Sequence, residues 1–159
     1  MSQLSNPLRI NIGFMSNESI GSYRDLEFEF DKLTLFYELL LDNVKGKVRI
    51  NRTPQGLLVD AEFEASVVGQ CVRCLEDFNQ SLKTEFQELF AYRTRHTRDE
   101  DLFVPEDGHI DLEPLVYENI LLAVPIKPLC KPDCKGLCSF CGANLNESAC
   151  IHEDARVEY

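Results

Sequence analysis

Apolar and polar residues alternate along much of the N-terminal half of the chain, which is the period of a half-buried β-strand. The strongest such run covers residues 59–67, where apolar side chains take the odd positions and mostly acidic ones the even positions. Other runs are shorter or less regular: Leu26 to Asp31, Lys47 to Asn51 and Phe78 to Phe90. The end of the last run is also compatible with a helix. A Thr53-Pro54-Gln55-Gly56 turn signal predicts a hairpin between two of the strands.

Two segments depart from this alternation and predict short helices. Between Asp31 and Asp42 the apolar residues cluster without period two, and Asp31 is placed to cap a helix near residues 32–41. Asp111 is placed to cap a second helix near residues 112–123, which ends before a proline. With the strands, these helices predict an α+β fold that is mainly an antiparallel β domain.

The remaining segments are a polar loop and a cysteine-rich tail. Residues 92–108 lack any periodicity and predict a long loop. The tail holds five of the seven cysteines but little apolar mass, so it needs a cross-link in order to fold. We therefore expect a β-rich domain over residues 1–128 and a zinc-ribbon-like, zinc-binding segment over residues 129–159 that packs on it.

The cysteines have the spacing of metal ligands. The donors are Cys71, Cys74, Cys130, Cys134, Cys138, Cys141, Cys150 and His152. An odd number of cysteines in a chain with no evident signal peptide favours metal over disulfides. Zinc takes four nitrogen or sulfur ligands in a tetrahedron, and a CxxC turn followed by glycine presents two thiolates together. Leu137 to Gly142 has this form.

Eight donors divide naturally into two sets of four. One division joins Cys71 and Cys74 to Cys130 and Cys134, and Cys138 and Cys141 to Cys150 and His152. The alternatives are a single site made of Cys130, Cys134, Cys138 and Cys141, or no bound metal. Sites of this kind are closed and structural, because no ligand position remains for water. A redox role for the first CxxC pair fits less well, since the pair follows a strand in an antiparallel pattern.

The charge of the chain bears on its partners. Its formal net charge is −11, so bare RNA is repelled at long range, and a basic protein is the better partner unless the charge serves solubility alone. The one basic stretch consists of Arg93, Arg95, His96 and Arg98. The acids considered for metal-dependent cleavage of RNA are Asp99, Glu100, Asp101, Glu106 and Asp107. They resemble a solvated charge run more than a catalytic site.

Two motifs resemble the signatures of the YceD-like family. They are Cys71-Val-Arg-Cys74-Leu75 followed by a phenylalanine-bearing strand, and the stretch from Cys130 to Asn146. The likeness extends from about Leu26 onward. It implies a role in the synthesis, processing or stability of the large-subunit ribosomal RNA and no known catalytic activity. Many members end in Cys-x-Cys where this chain has Cys150-Ile-His152, but histidine also binds zinc.

The sequence thus predicts a cytoplasmic, non-enzymatic factor with one or two structural Zn²⁺ ions. The expected partner is a ribosome-assembly intermediate, a basic ribosomal protein or a processing factor for ribosomal RNA. Direct contact with ribosomal RNA is disfavoured by the charge, and no apolar run is long enough to span a membrane. The alternative is an enzyme, either a thiol redox protein or a metal-dependent ribonuclease.

Overall fold

The computed structural model describes residues 6–94, 98 and 102–152. In chain order its strands are β1 (Arg9–Asn11), β2 (Tyr23–Leu35), β3 (Leu39–Arg52), β4 (Gly56–Gln70), β5 (Asp77–Ala91) and β6 (His109–Asp111). One α-helix, α1 (Glu113–Ala123), follows β6, and two short 3₁₀ helices cover Gly13–Asn17 and Phe36–Glu38. Strands β2 to β5 form a four-stranded antiparallel sheet in chain order, and β1 pairs with β6. The predicted fold class is confirmed.

Alternation along the strands decides which face of the large sheet is buried. Val59, Ala61 and Phe63 point to the inner face, where α1 and the N-terminal segment also contribute to the core. The Phe63 ring is fully buried and stacks between the rings of Phe28 and Phe86, at centroid distances of 6.3 and 6.4 Å. The aromatic rings of three strands therefore form the centre of this face.

The predicted helix near residues 32–41 is wrong. β2 continues through Leu35, a 3₁₀ turn over Phe36–Glu38 reverses the chain, and β3 begins at Leu39. The apolar residues of this segment belong to the two arms of a hairpin, so their spacing does not have the period of a single element. A register shift near Asn43, whose φ is 52°, then changes which positions of β3 face the core.

Helix α1 begins at Glu113 and has Leu112 as its N-cap, one residue beyond the predicted capping residue. The Asp111 carboxylate still accepts a hydrogen bond from the Glu113 N–H at 2.9 Å, which satisfies one of the free amides of the first turn. Val116 and Ile120 are buried against the sheet. Within the described part of the chain, no helix is long and apolar enough to cross a membrane.

The cysteine-rich tail contacts the sheet at the turn between β4 and β5. The Leu137 N–H donates to the Arg73 carbonyl at 3.1 Å, and the Val72 N–H donates to the Pro128 carbonyl at 3.0 Å. Gly136 lies so close to Arg73 that an added Cβ would come within 3.1 Å of that carbonyl oxygen, and its φ of 76° suits glycine. The tail is thus held against one end of the sheet.

Candidate metal centres

The turn between β4 and β5 presents the first two thiols. The Cys71 N–H donates to the Glu76 carbonyl and the Leu75 N–H donates to the Cys71 carbonyl, each at 2.9 Å, which closes the turn. Leu75 has a φ of 60°, so the turn adopts a left-handed conformation that is unusual for leucine. Cys71 and Cys74 are both buried. Two thiols therefore lie side by side beneath the end of the sheet.

The tail brings two further thiols to this turn. The Sγ atom of Cys134 lies 3.7 Å from that of Cys71, and the Sγ atom of Cys130 lies 3.6 Å from that of Cys74. A disulfide requires about 2.05 Å between its sulfurs. Zinc–sulfur bonds of about 2.3 Å in a tetrahedron separate the sulfurs by about 3.8 Å. The four thiols, which all lie within 4.8 Å of one another, fit a single metal ion and not two disulfides.

Backbone amides in this first group stabilise a thiolate. Burial raises the pKa of the Cys71 thiol, but N–H groups of Cys130, Cys74 and Arg73 outweigh it and lower that pKa to about 6. Burial and the neighbouring thiols instead raise the pKa of Cys130 to about 12. Thiols that share so small a volume cannot all ionise, because each thiolate disfavours a second negative charge beside it. A bound metal ion would remove that conflict.

Asn146 supports the first group and was not predicted from the sequence. Its Nδ2 donates to the Cys134 Sγ at 3.4 Å, and its Oδ1 accepts from the Lys135 N–H at 2.8 Å. Burial raises the pKa of Cys134, but this hydrogen bond contributes to a net lowering. Asn144 adds a contact to the Glu76 carboxylate at 2.9 Å. The signal in the sequence is the Asn144-Leu145-Asn146 that follows Gly142 and Ala143 after the second CxxC, where each asparagine orients a ligand-bearing turn.

The second group is built on the turn from Cys138 to Gly142. The Gly142 N–H donates to the Cys138 carbonyl at 2.9 Å, and the Phe140 N–H approaches the Cys138 Sγ at 3.5 Å. The φ of Gly142 is 73°, which explains the glycine after the CxxC. Amides of Cys141 and Phe140 lower the pKa of the Cys138 thiol to about 6. The local backbone thus favours a thiolate here too.

Cys150 and His152 complete the second group. Its four donor atoms lie within 4.8 Å of one another. The His152 ring stacks on Phe140 at a centroid distance of 5.4 Å, and its Nδ1 is buried with no hydrogen-bond partner among the described residues. A buried nitrogen without a partner is costly, and three thiols beside it supply the remaining ligands of a tetrahedral site. The donor set fits a metal ion.

All eight predicted ligands therefore lie in two groups of four. Cys71, Cys74, Cys130 and Cys134 form the first group, and Cys138, Cys141, Cys150 and His152 form the second. The structure does not bring the tail cysteines of the alternative single site together, because it divides them between the two groups. Each group could hold a metal ion, and neither leaves a fifth described donor beside it.

The other predicted residues have separate environments. Arg95, His96, Asp99, Glu100 and Asp101 lie outside the described residues. The Arg93 guanidinium lies 4.6 Å from the centroid of the Phe103 ring. Asp107 pairs with Arg9 at 2.5 Å and accepts from the His109 N–H at 3.0 Å, and its pKa is lowered by that amide and by Arg9. Neither Asp107 nor Glu106 belongs to a metal-donor group within the described ranges.

The part of the chain that contains both groups of metal donors matches a known protein family. A family model described as large ribosomal RNA subunit accumulation protein YceD matches residues 59–158, a stretch that contains all eight donors. The match covers more than half of the chain, and the chain belongs to the YceD family.

Individual relatives come from bacteria and plants. An uncharacterized protein of Mycobacterium tuberculosis is 37% identical over 102 residues, which cover 62% of this chain and 49% of the relative. YlbN of Bacillus subtilis is 29% identical over 115 residues, or 67% of each chain. A maize protein named large ribosomal RNA subunit accumulation protein YCED homolog 1, chloroplastic, is 39% identical over 57 residues, covering 35% of this chain and 20% of that protein. The chain spans about half the length of the mycobacterial relatives it matches. No solved structure matches the chain.

Proposed function

We propose that the protein is a non-enzymatic cytoplasmic factor that supports the synthesis, processing or stability of the large-subunit (23S) ribosomal RNA. The observation that carries this proposal is the family match over residues 59–158, which spans both groups of donors. Plant relatives bear the name large ribosomal RNA subunit accumulation protein. The proposed partner is an assembly intermediate, a basic ribosomal protein or a processing factor.

We further propose that each group of donors holds one structural Zn²⁺ ion. The chemistry that zinc supplies in such a site is cross-linking of the chain. In the first site, Cys71 and Cys74 would join the sheet to Cys130 and Cys134 of the tail. The second site would close the tail on itself. This arrangement supports the division into a domain over residues 1–128 and a tail over 129–159.

The acidic surface of the sheet supports a basic protein partner. Its outer face carries Asp25, Glu27, Glu29, Asp60, Glu62, Glu64 and Glu85 against Lys45, Lys47, Arg49 and Lys83. Several of these charges neutralise one another, as in the paired contacts of Arg49 with the Asp25 carboxylate at 2.6 and 2.8 Å. The acids are still in excess, so the face attracts a basic chain and repels bare RNA.

The test of the function is complementation of a strain that lacks the gene. The measured quantity is the ratio of 23S to 16S ribosomal RNA, with the protein level followed in the same cells. We expect the wild type to restore the ratio and Cys74→Ser to fail at equal protein level, with Glu85→Gln as the surface control. A normal ratio in cells without the gene would contradict the proposal.

A second experiment separates binding from catalysis. The purified protein is incubated with precursor ribosomal RNA and Mg²⁺ or Mn²⁺, and the RNA is examined for cleavage. We expect no cleavage. Cleavage that is lost in a variant with the acids of residues 99–107 neutralised would show instead a metal-dependent ribonuclease.

A further inference from the structure

One edge of β2 is a long run of backbone with no pairing strand among the described residues, and we call it the free edge. β2 spans residues 23–35 and pairs with β3 on one side, and no described segment pairs with its other side. The opposite edge of the sheet, β5, contacts α1 and bridges to Phe103 near its end. An unprotected strand edge is a template for an added strand.

Hydrogen bonding to β3 identifies which groups of β2 remain available. The Arg52 N–H donates to the Ser22 carbonyl at 2.8 Å, and bonded and non-bonded pairs alternate along an antiparallel ladder. The even residues of β2, up to Phe30, therefore bond to β3. The odd residues 23, 25, 27 and 29 direct their N–H and C=O groups to the free edge. On the other side of β3, the Thr53 N–H donates to the Gly56 carbonyl at 2.8 Å, so the odd residues of β3 bond to β4 and its even residues bond to β2.

The side chains of these odd residues form the outermost of three charge stripes on the outer face. The rows across β2, β3 and β4 are Asp25–Arg49–Asp60, Glu27–Lys47–Glu62 and Glu29–Lys45–Glu64. Acid, base and acid alternate in every row, and opposite charges on neighbouring strands stabilise a sheet. Within the described part of the chain Glu27 and Glu29 make no ion pair closer than 4.0 Å. On the far side of the sheet the alternation continues in one row only, where Lys83 lies opposite Glu64, whereas Glu85 lies opposite Glu62. At the β2 edge, a basic strand would place opposite charges beside Asp25, Glu27 and Glu29.

The inner side of the same edge is apolar. Leu26, Phe28 and Phe30 pack against the core but are only partly buried. An added strand would cover them if its side chains on that face were apolar. The edge therefore matches a segment in which Lys or Arg alternates with apolar residues.

We propose that the β2 edge binds an extended basic segment of a protein partner as a fifth strand of the sheet. The Lys or Arg side chains of that segment lie beside Asp25, Glu27 and Glu29, and its apolar side chains cover Phe28 and its neighbours. This inference deepens the proposed function by naming the binding site and the kind of partner. It rests on that function only in taking the partner to be a component of ribosome assembly. A second copy of the chain fits poorly, because pairing of two β2 edges brings acids beside acids.

The probe for this site is a synthetic peptide of about nine residues that alternates lysine with valine, long enough to cover the acidic stripe. Titration of the 159-residue chain with this peptide gives the dissociation constant, and hydrogen exchange locates the contact. Exchange should slow at the amides of residues 25, 27 and 29, which face the edge. Protection of only some other strand or loop would overturn the proposal.

Glu27→Pro separates edge pairing from simple charge attraction. Proline removes an N–H that β3 does not use, and an edge strand tolerates this. We expect affinity to fall about tenfold while circular dichroism and zinc content stay unchanged. If that variant fails to fold, a peptide methylated on alternate amide nitrogens tests the same bonds from the other partner. Equal binding by the methylated and unmodified peptides would refute strand addition.

Glu27→Gln measures the charge contribution, and Glu85→Gln is its matched control in the same row of the sheet but on β5. Glu27→Gln should weaken peptide binding about two- to fivefold, because one opposite-charge cross-strand pair is lost. Glu85→Gln should leave the binding affinity unchanged. Equal weakening by both variants would mean that only the overall charge attracts the peptide.

Two further outcomes bear on the proposal. If the protein forms a dimer that Glu27→Pro abolishes, the edge binds a second copy of the chain and not a basic partner. If the peptide fails to bind but the gene is still needed for 23S accumulation, the edge proposal alone is wrong.

Discussion

Replacing one ligand in each candidate site should have unequal effects on the sheet. Cys74→Ser would open a cross-link to Cys130, which is 56 residues further along the chain. Cys141→Ser would open a cross-link to Cys150 that closes a loop of about nine residues, all of it in the tail. The first cross-link joins β4, β5 and the tail. The second has no ligand in the sheet.

The size of each effect follows from the loop that the metal closes. In the chain-entropy model a cross-link over 56 residues contributes about 4 kcal/mol to the free energy of unfolding, and one over nine residues about 2.5 kcal/mol. For a protein of this size each 1 kcal/mol shifts the melting temperature by about 2–4 °C. Cys74→Ser should therefore lower the melting temperature of the sheet by about 8–16 °C. Cys141→Ser should lower it by less than about 2 °C, because its loss stays within the tail.

The assay is thermal unfolding followed by β-sheet circular dichroism, with zinc content and thiol titration of the same samples. The wild type should hold two zinc ions and no reactive thiol, and each variant should lose one ion. Equal melting shifts for the two variants would refute the division of ligands. So would a larger shift for Cys141→Ser. One ion in the wild type with several reactive thiols would favour a single site.

Three further predictions concern packing and the ligands. Gly46→Ala should destabilise the protein by about 1–3 kcal/mol in urea unfolding, because the new Cβ would overlap the Phe63 ring. His152→Ala should release the second metal ion. His152→Cys should retain that ion, because thiolate and imidazole both bind zinc, and elemental analysis distinguishes the two outcomes. Acidification should release both metal ions, because the thiolates of Cys71 and Cys138 must stay deprotonated in order to bind; the amides that lower both pKa values to about 6 should keep the ions bound at neutral pH, and zinc content after dialysis at each pH measures the release.

Each of these predictions has a control. Gly69→Ala adds a Cβ that meets nothing closer than 3.8 Å, so its stability should stay within about 0.5 kcal/mol of wild type. Equal destabilisation at the two glycines would mean that contact with the aromatic stack is not the cause. Retention of both ions by His152→Ala would remove this residue from the ligand set. Release of the ions already near the ordinary pKa of cysteine would show that the amides do not act as described.

Much of the sheet could be predicted because a strand with one buried face leaves a direct record in the sequence. Residues 59–67 alternate strictly, and β4 indeed contains them. The segment over residues 32–41 misled the prediction because a hairpin and a register shift interrupt the period. Local patterns of apolar residues describe one element at a time, and they do not reveal where the chain reverses.

The ligand types could be predicted, but their arrangement depends on tertiary contacts. Spacing identifies Cys71 and Cys74 as a pair, yet only the packing of the tail on the turn shows which later thiols lie beside them. The role of Asn146 depends on the same packing, since its amide reaches a thiol twelve positions away. The free edge of β2 could not be assigned either, because strand order is a property of the whole sheet.

The distance along the chain between the two halves of the first site has a consequence during synthesis. Cys71 and Cys74 leave the ribosome well before Cys130, and the gap of 56 residues takes about 3–11 s to translate at typical rates. During that interval the two thiols have no partners from the tail. The nascent hairpin therefore carries two of the four soft ligands, whose thiols are open to oxidation or to copper, and the first site can bind its metal only after Cys134 has been synthesised.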